Sequence, residues 1–203
     1  MKSVQYNIAQ KGCYAVIFLI IFSISNVALA QKRWSVGLRP AVGFTTEKLG
    51  GLSAKTGIGF DATVGYRFMP HLEAYGGWSW NKFPTERAGT LGKLDFEETG
   101  YCYGFRFIHP IHKSRLSYLI RMGGLYNHIE VEDAHGNIIG NSGHGFGWEL
   151  EGGLVIPLKN NWYLTPGVRY RSLTRDVKMS HTTTSVDLKY ISAGIDLSWR
   201  FGK

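Results

Sequence analysis

The stretch Tyr101–Ile108, YCYGFRFI, alternates strictly over its first seven residues. Tyr101, Tyr103, Phe105 and Phe107 are aromatic, while Cys102, Gly104 and Arg106 between them are small or charged. On a β-strand these two sets point to opposite faces, so one face is wholly aromatic and its reverse carries an arginine. The same period of two runs through eight segments: Trp34–Phe44, Thr56–Phe68, Leu72–Phe83, Phe96–Ile108, Leu116–Ile129, Gly145–Leu158, Trp162–Leu173 and Ser185–Phe201. Glycine-rich strands without helical periodicity exclude a helix bundle. The connections alternate in length. Residues 45–55, 84–95, 130–144 and 174–184 form longer polar links, and Met69–His71, His109–Arg115 and Lys159–Asn161 form shorter ones. With an even strand count, all longer links fall at one end and both termini at the other. The pattern predicts an all-β fold, an eight-stranded antiparallel up-and-down barrel forming one domain over residues 31–203.

The two faces differ in what they can meet. Sorted by parity, one carries Trp34, Val36, Leu38, Ile58, Phe60, Val64, Ile120, Met122, Trp148, Leu150, Leu164 and Val168. The other carries Arg39, Arg67, Arg106, Arg121, Arg169, Arg171 and Arg200 together with Asp61, Glu73, Glu149, Glu151 and Asp196. Eight strands leave an interior just wide enough to be filled by side chains, so bulky aromatics on nearly every strand would overfill it. Lysines of the mature chain lie almost wholly in links and at strand ends, whereas a strand face turned to water would be rich in them. Arginine suits a crowded interior because its planar fork satisfies several acceptors at once. The aromatic face is therefore expected to look outward into lipid, and the charged face inward as a network that fills the lumen. Seven bases against five acids leave that interior slightly positive, which keeps a narrow anion path as an alternative. Arg106 is expected to pair with Glu149 or Glu151. Aromatic girdles are expected at both interfaces, with Trp34, Phe68, Phe107, Tyr118, Trp162, Trp199 and Phe201 at one, and Phe44, Trp78, Trp80, Tyr101, Tyr126, Trp148 and Tyr170 at the other. The last segment changes parity: Val186, Leu188 and Tyr190 are apolar at even positions, and Ile191 to Phe201 at odd ones. A β-bulge near Tyr190–Ser192 would keep both sets facing lipid.

The N-terminus reads as a cleavable signal peptide, residues 1–30. Lys2 and Lys11 precede the apolar core Tyr14–Ile24, and Ala28 and Ala30 stand in register for cleavage before Gln31. After Ile24 no apolar run reaches the length of a transmembrane helix, so a membrane-embedded mature chain must be a closed barrel. The net charge of +8 falls to +6 without Lys2 and Lys11. An exported basic chain points to anionic lipid or lipopolysaccharide rather than nucleic acid. Cys102 alone survives cleavage, so no intrachain disulfide is expected.

With its signal peptide, eight alternating strands, uneven loops and the terminal strand IDLSWRF, the chain resembles the small eight-stranded outer-membrane barrels, OmpX-like and OmpA-transmembrane-domain-like. Ile195, Leu197, Trp199 and Phe201 look like the C-terminal signal read by the outer-membrane assembly machinery, although Gly202 and Lys203 follow Phe201. The resemblance implies an integral, multi-pass protein of a Gram-negative outer membrane, monomeric and without a cofactor. Its implied role is structural or interactive, with the longer loops outside as the contact surface. A lipid A-modifying enzyme is the rival. Its candidates are Ser142, His144 and Glu149 in NSGHGFGWE, or His181 with Thr183. A lipid A deacylase needs its nucleophile facing the membrane, whereas His181, Thr183 and Glu149 are expected on the inward parity, and threonine would replace the usual serine. Polar rim residues are therefore the favoured reading. His135 and His144 lack a fixed ligand spacing, and EDAHGN lacks the terminal glutamate of a calcium loop, so the reading here is a solvated glycine-rich loop.

Overall fold

The computed structural model describes residues 33–86, 92–179 and 182–202. Ala28, Ala30, Gln31 and His181 lie outside them. Nine strands follow one another: β1 (Trp34–Thr45), β2 (Gly57–Met69), β3 (Leu72–Pro84), β4 (Asp95–Pro110), β5 (Ser117–Glu132), β6 (Ile138–Asn141), β7 (Gly145–Pro157), β8 (Trp162–Met179) and β9 (Thr182–Phe201). Eight of them form a closed antiparallel ring, β1-β2-β3-β4-β5-β7-β8-β9, sealed where Trp34 pairs with Phe201 and Thr45 with Tyr190. Closure removes every free edge, so the backbone polar groups of each ladder find partners within the wall. The ninth, β6, is a four-residue strand in the link between β5 and β7, paired to β5 and to β8.

Side-chain alternation along each strand sorts the two faces. Leu38, Phe60, Val64, Phe105, Ile120, Met122, Leu150, Val168 and Leu197 are exposed, and so are many other apolar side chains around the ring. Such a continuous apolar belt far exceeds the patches that a water-facing surface carries. Aromatic pairs gather at its two edges: Trp34 with Tyr66, and Trp199 with Phe201, at the end holding the short turns; Tyr126 with Phe146, and Trp148 with Tyr170, at the other.

Two expectations fail, for one physical reason. Residues 174–184 do not form a loop: β8 runs on to Met179, β9 starts at Thr182, and their ladder continues from Leu173–Leu188 to Met179–Thr182. Nor is there a bulge at Tyr190–Ser192. The register of β9 is unbroken there, and Val186, Leu188 and Tyr190 point inward with Ser192. Above the outer aromatic edge the strands leave the apolar medium. Their outer face turns polar, with Asp187 and Lys189 on β9, Thr174, Asp176 and Lys178 on β8, and Glu130 and Glu132 on β5. The inner face turns apolar and packs Leu49, Phe83, Phe96, Ile129, Val131, Leu173, Val177, Val186, Leu188 and Tyr190 into one cluster. Each fully buried side chain of this kind contributes roughly 1.5–3 kcal/mol. The same ladder is thus an inside-out barrel within the apolar belt and an ordinary water-facing barrel above it.

Wall and filling are matched closely. A Cβ on Gly123 would lie 2.0 Å from the Tyr75 hydroxyl, so only glycine lets that ring lie across the lumen against β5. In the short turn after β7, Asn160 and Asn161 adopt left-handed φ values of 57° and 65°, which asparagine tolerates better than most residues.

Candidate functional site

The lumen holds the residues with the most chemistry, in three layers. The central layer joins Arg39, Arg121, Arg169 and Arg171 to Asp61, Glu98, Glu149 and Glu151. The ladders set part of it directly, because Arg39 stands opposite Asp61, Arg171 opposite Glu149, and Glu151 opposite both Arg121 and Arg169. Other bonds cross the lumen. Asp61 Oδ2 accepts from Arg169 Nη1 at 2.7 Å, and Oδ1 from Arg171 Nη2 at 2.5 Å. Glu149 is a hub. It lies 2.6 Å from Arg121 Nη2 and accepts from Arg121 Nε at 2.8 Å, from Arg171 Nε at 2.8 Å and from the Tyr75 hydroxyl at 2.6 Å. Glu151 accepts from Arg169 Nε at 2.9 Å, and Arg39 Nε sits 3.1 Å away as an ion-pair contact without the alignment of a hydrogen bond. The Tyr75 ring lies beneath both Arg121 and Arg106, with guanidinium carbons 4.0 and 4.8 Å from its centroid.

Toward the short-turn end, Arg106 Nη1 donates to Glu73 at 2.9 Å and Nη2 to Thr63 Oγ1 at 2.7 Å, while Ser35 donates to Glu73 at 3.1 Å. The carboxylate partner of Arg106 is therefore Glu73, not Glu149 or Glu151. Parity alone places all three glutamates inside, but Glu73 is the residue directly opposite Arg106 in the β3–β4 ladder. Arg67, Asp196 and Arg200 also belong to this end, yet among the described residues they make no ion pair with each other or with the central group. A cavity of about 20 Å³, large enough for a single water, lies between Ser35, Glu73, Arg106, Asp196, Ser198 and Arg200. Toward the other end Glu98 accepts from Asn81 at 3.0 Å, from Tyr190 at 2.6 Å and from Asn127. Arg175 reaches the carbonyls of Asn127, Phe146, Thr174 and Gly145. The apolar cluster closes the barrel above them, and Leu49 dips into it from the link after β1.

Glu98, Tyr75, Tyr190 and Arg175 were not among the residues expected in the network. Glu98 shares its parity with Arg106 on one strand, so alternation could have found it. The polar composition of residues 174–184 points to a loop and so hides Arg175.

Outside the barrel, above the apolar belt, Lys82 gathers Glu132 at 2.7 Å, Glu97 at 2.9 Å and Asp95 at 3.2 Å. Partial burial works against its charge, but the hydrogen bonds to Glu132, Glu97 and Asp95 outweigh it and hold the ammonium well above its ordinary range. Burial likewise opposes the Glu97 charge, and bonds from Lys82 and Trp80 overcome it, so that carboxyl sits below its ordinary range. In the link after β5, Asp133 accepts from the Asn137 side chain and from the backbone N–H groups of Asn137 and His135, which lowers its pKa. Those bonds close the turn on itself.

The residues considered for catalysis do not converge. Ser142 accepts from the Ile129 N–H and donates to the Gly143 carbonyl, Glu149 is buried among arginines, and His144 is on the outer surface. Thr183 is exposed on the outer parity of β9 rather than the inner one expected.

A closed antiparallel ring with an apolar exterior belt, two aromatic edges and a charge-filled interior defines an integral outer-membrane β-barrel protein. The chain belongs to the family described as the outer membrane protein beta-barrel domain, whose model matches residues 14–201. Its fold is similar to that of Neisserial surface protein A (15% identity, TM-score 0.62), over 83% of this chain and 97% of that one. It is also similar to OprG from Pseudomonas aeruginosa (14%, TM-score 0.53, 84% and 98%). Outer membrane protein W of E. coli is a third such structure (15%, TM-score 0.53, 85% and 100%). No curated protein matches the sequence. The protein is thus a β-barrel of the bacterial outer membrane.

Proposed function

We propose that this protein is a non-conducting, monomeric outer-membrane barrel whose protruding end is a contact surface, rather than a channel or an enzyme. One observation carries the reading. Arg39, Arg121, Arg169 and Arg171 are fully buried in the lumen among carboxylates, beneath a packed apolar layer, so the barrel interior is filled with protein. A filled barrel that continues past the apolar belt is a rigid pedestal. It holds β6, the β8–β9 hairpin and the links after β1 and β3 away from the membrane. In this reading the signal peptide is cleaved before Gln31, Ile195, Leu197, Trp199 and Phe201 engage the assembly machinery, and the belt is solvated by lipid and lipopolysaccharide.

Reconstitution in planar bilayers tests it. The expected record has no stable conductance, and steps on the nanosiemens scale would reject the filled lumen. Protease added to intact cells should cut at Lys93, which is 52% exposed on its side chain in the link before β4. Cleavage restricted to Lys113 and Lys159, in the short turns, would invert the orientation.

A further inference from the structure

Just above the outer aromatic edge, His128 on β5 meets His144, the residue immediately before β7. The β5–β7 ladder pairs Tyr126 with Phe146 and Asn127 with Gly145, and its next step brings His128 beside His144 on the outer face. His128 Nδ1 and His144 Nε2 stand 3.2 Å apart. The other nitrogen of His128, Nε2, lies 3.3 Å from Glu130 Oε1, and the Asn141 side chain donates to that same oxygen at 3.1 Å. His144 is exposed, and His128 is partly buried, with 16% of its side chain accessible.

We propose that His128 and His144 form a chelate for one divalent transition-metal ion of the copper, nickel or zinc type on the outer rim of the barrel. Three features carry this beyond an ordinary ring contact. Two imidazole nitrogens bound to one tetrahedral ion at about 2.0–2.1 Å lie roughly 3.3 Å from each other, close to the 3.2 Å found here. The Glu130 carboxylate can hold the proton of His128 on Nε2, leaving the Nδ1 lone pair directed at His144. Such a carboxylate behind a histidine is the usual support of a metal ligand. His128 stands on β5 and His144 immediately precedes β7, one residue beyond the last ladder pair, so both positions are tied to the barrel wall. The rings are tilted by 49° with centroids 4.4 Å apart, and χ2, a soft torsion, can bring both lone pairs onto one point. Water completes the coordination, because no group of three or more His, Cys, Asp or Glu side chains among the described residues is placed to hold an ion. The site is distinct from the pair His135 and His144 considered from the sequence, and its second histidine lies in β5, where strand pairing rather than spacing brings it near.

The test uses the full mature protein, purified without a histidine tag, in detergent micelles, titrated with Cu²⁺, Ni²⁺ and Zn²⁺ salts by calorimetry. One equivalent should bind, with Cu²⁺ tighter than Ni²⁺ or Zn²⁺, and the bound Cu²⁺ should show nitrogen hyperfine structure by electron paramagnetic resonance. His128→Ala and His144→Ala should each abolish the stoichiometric site, and Glu130→Gln should weaken it by roughly tenfold or more. A His71→Ala/His109→Ala variant, which removes the tilted ring pair at the opposite end, should bind as the native protein does. Unboiled gel mobility confirms that each variant is folded. Equal binding by the native protein and His144→Ala, or no binding by folded native protein, overturns the proposal and leaves the pair as a simple N–H···N hydrogen bond.

Discussion

Glu149→Gln is the most informative single change in the lumen. Glu149 is completely buried, and its two oxygens take two contacts from Arg121, one from Arg171 and one from the Tyr75 hydroxyl. The amide keeps the volume, so no cavity term arises. It removes one of the four carboxylates that balance the four central arginines, and it turns a donor toward guanidinium groups that can only donate. Each charge-assisted bond is worth about 1.5–3 kcal/mol, but Arg169 and Arg171 keep Asp61, and Arg121 keeps its longer 3.6 Å contact with Glu151. The bonds therefore do not simply add, and the expected cost is roughly 3–5 kcal/mol, that of breaking a buried pair. Arg121→Met alone should cost a similar amount. The double variant should cost clearly less than the sum, because it restores three bases against three acids. Reversible urea unfolding in lipid bilayers, followed by tryptophan fluorescence, reads all three. A cost below about 1 kcal/mol for Glu149→Gln, with no coupling to Arg121, would mean that the lumen charges are separately hydrated, and the filled-barrel reasoning would fail.

Other consequences follow from the two faces. Phe105, 55% exposed near the middle of the belt, should tolerate Phe105→Leu, whereas Phe105→Arg should cost roughly 2–4 kcal/mol in bilayers; the opposite ranking would point to a water-facing exterior. Leu188→Ala should cost about 2–5 kcal/mol as a core truncation, because Leu188 is inside the upper cluster and fully buried; near-neutral behaviour in the same unfolding assay would place it outside. The Lys82 cluster should give two pH limits, read by carbon chemical shifts of Glu97 in micelles. The folded pKa of Glu97 is depressed, so its contribution is complete above the unfolded value, 4.5, and is lost as pH falls through the lower folded one. The folded pKa of Lys82 is raised, so its contribution is complete below the unfolded value, 10.5, and is lost only as pH rises through the higher folded one. An unshifted Glu97 titration would remove the basis for both.

Alternation made the barrel and its two faces readable before any coordinates. It works where each face meets one medium, as for Phe105 and Arg106. It misleads where the medium changes along a strand. Val186, Leu188 and Tyr190 are apolar like the lipid-facing residues of the same strand, and composition cannot distinguish a side chain in lipid from one in a dry protein interior. What distinguishes them is height: at the same level of β8 the polar residues Thr174, Asp176 and Lys178 occupy the outer face, paired with Asp187, Ser185 and Thr183, and that polarity resembles a loop in the sequence. The pairing within the lumen was legible only in part. Parity marks Arg106 as inward, but ladder register chooses Glu73, and register is a property of the closed ring rather than of one strand. His128 and His144 were separately visible and jointly invisible for the same reason.

Spin labels placed singly from Thr183 to Trp199 on β9, with collision rates measured against oxygen and a water-soluble nickel complex in bilayers, would test the two-medium ladder most directly. Labels at 183, 185, 187 and 189 should meet the nickel complex, and those at 191, 193, 195, 197 and 199 should meet oxygen. Labels at the intervening even positions, which include Val186 and Leu188, should be shielded from both, with no change of parity along the strand. A reversal of parity near Tyr190–Ser192, with 186 and 188 exposed to oxygen, would contradict the account.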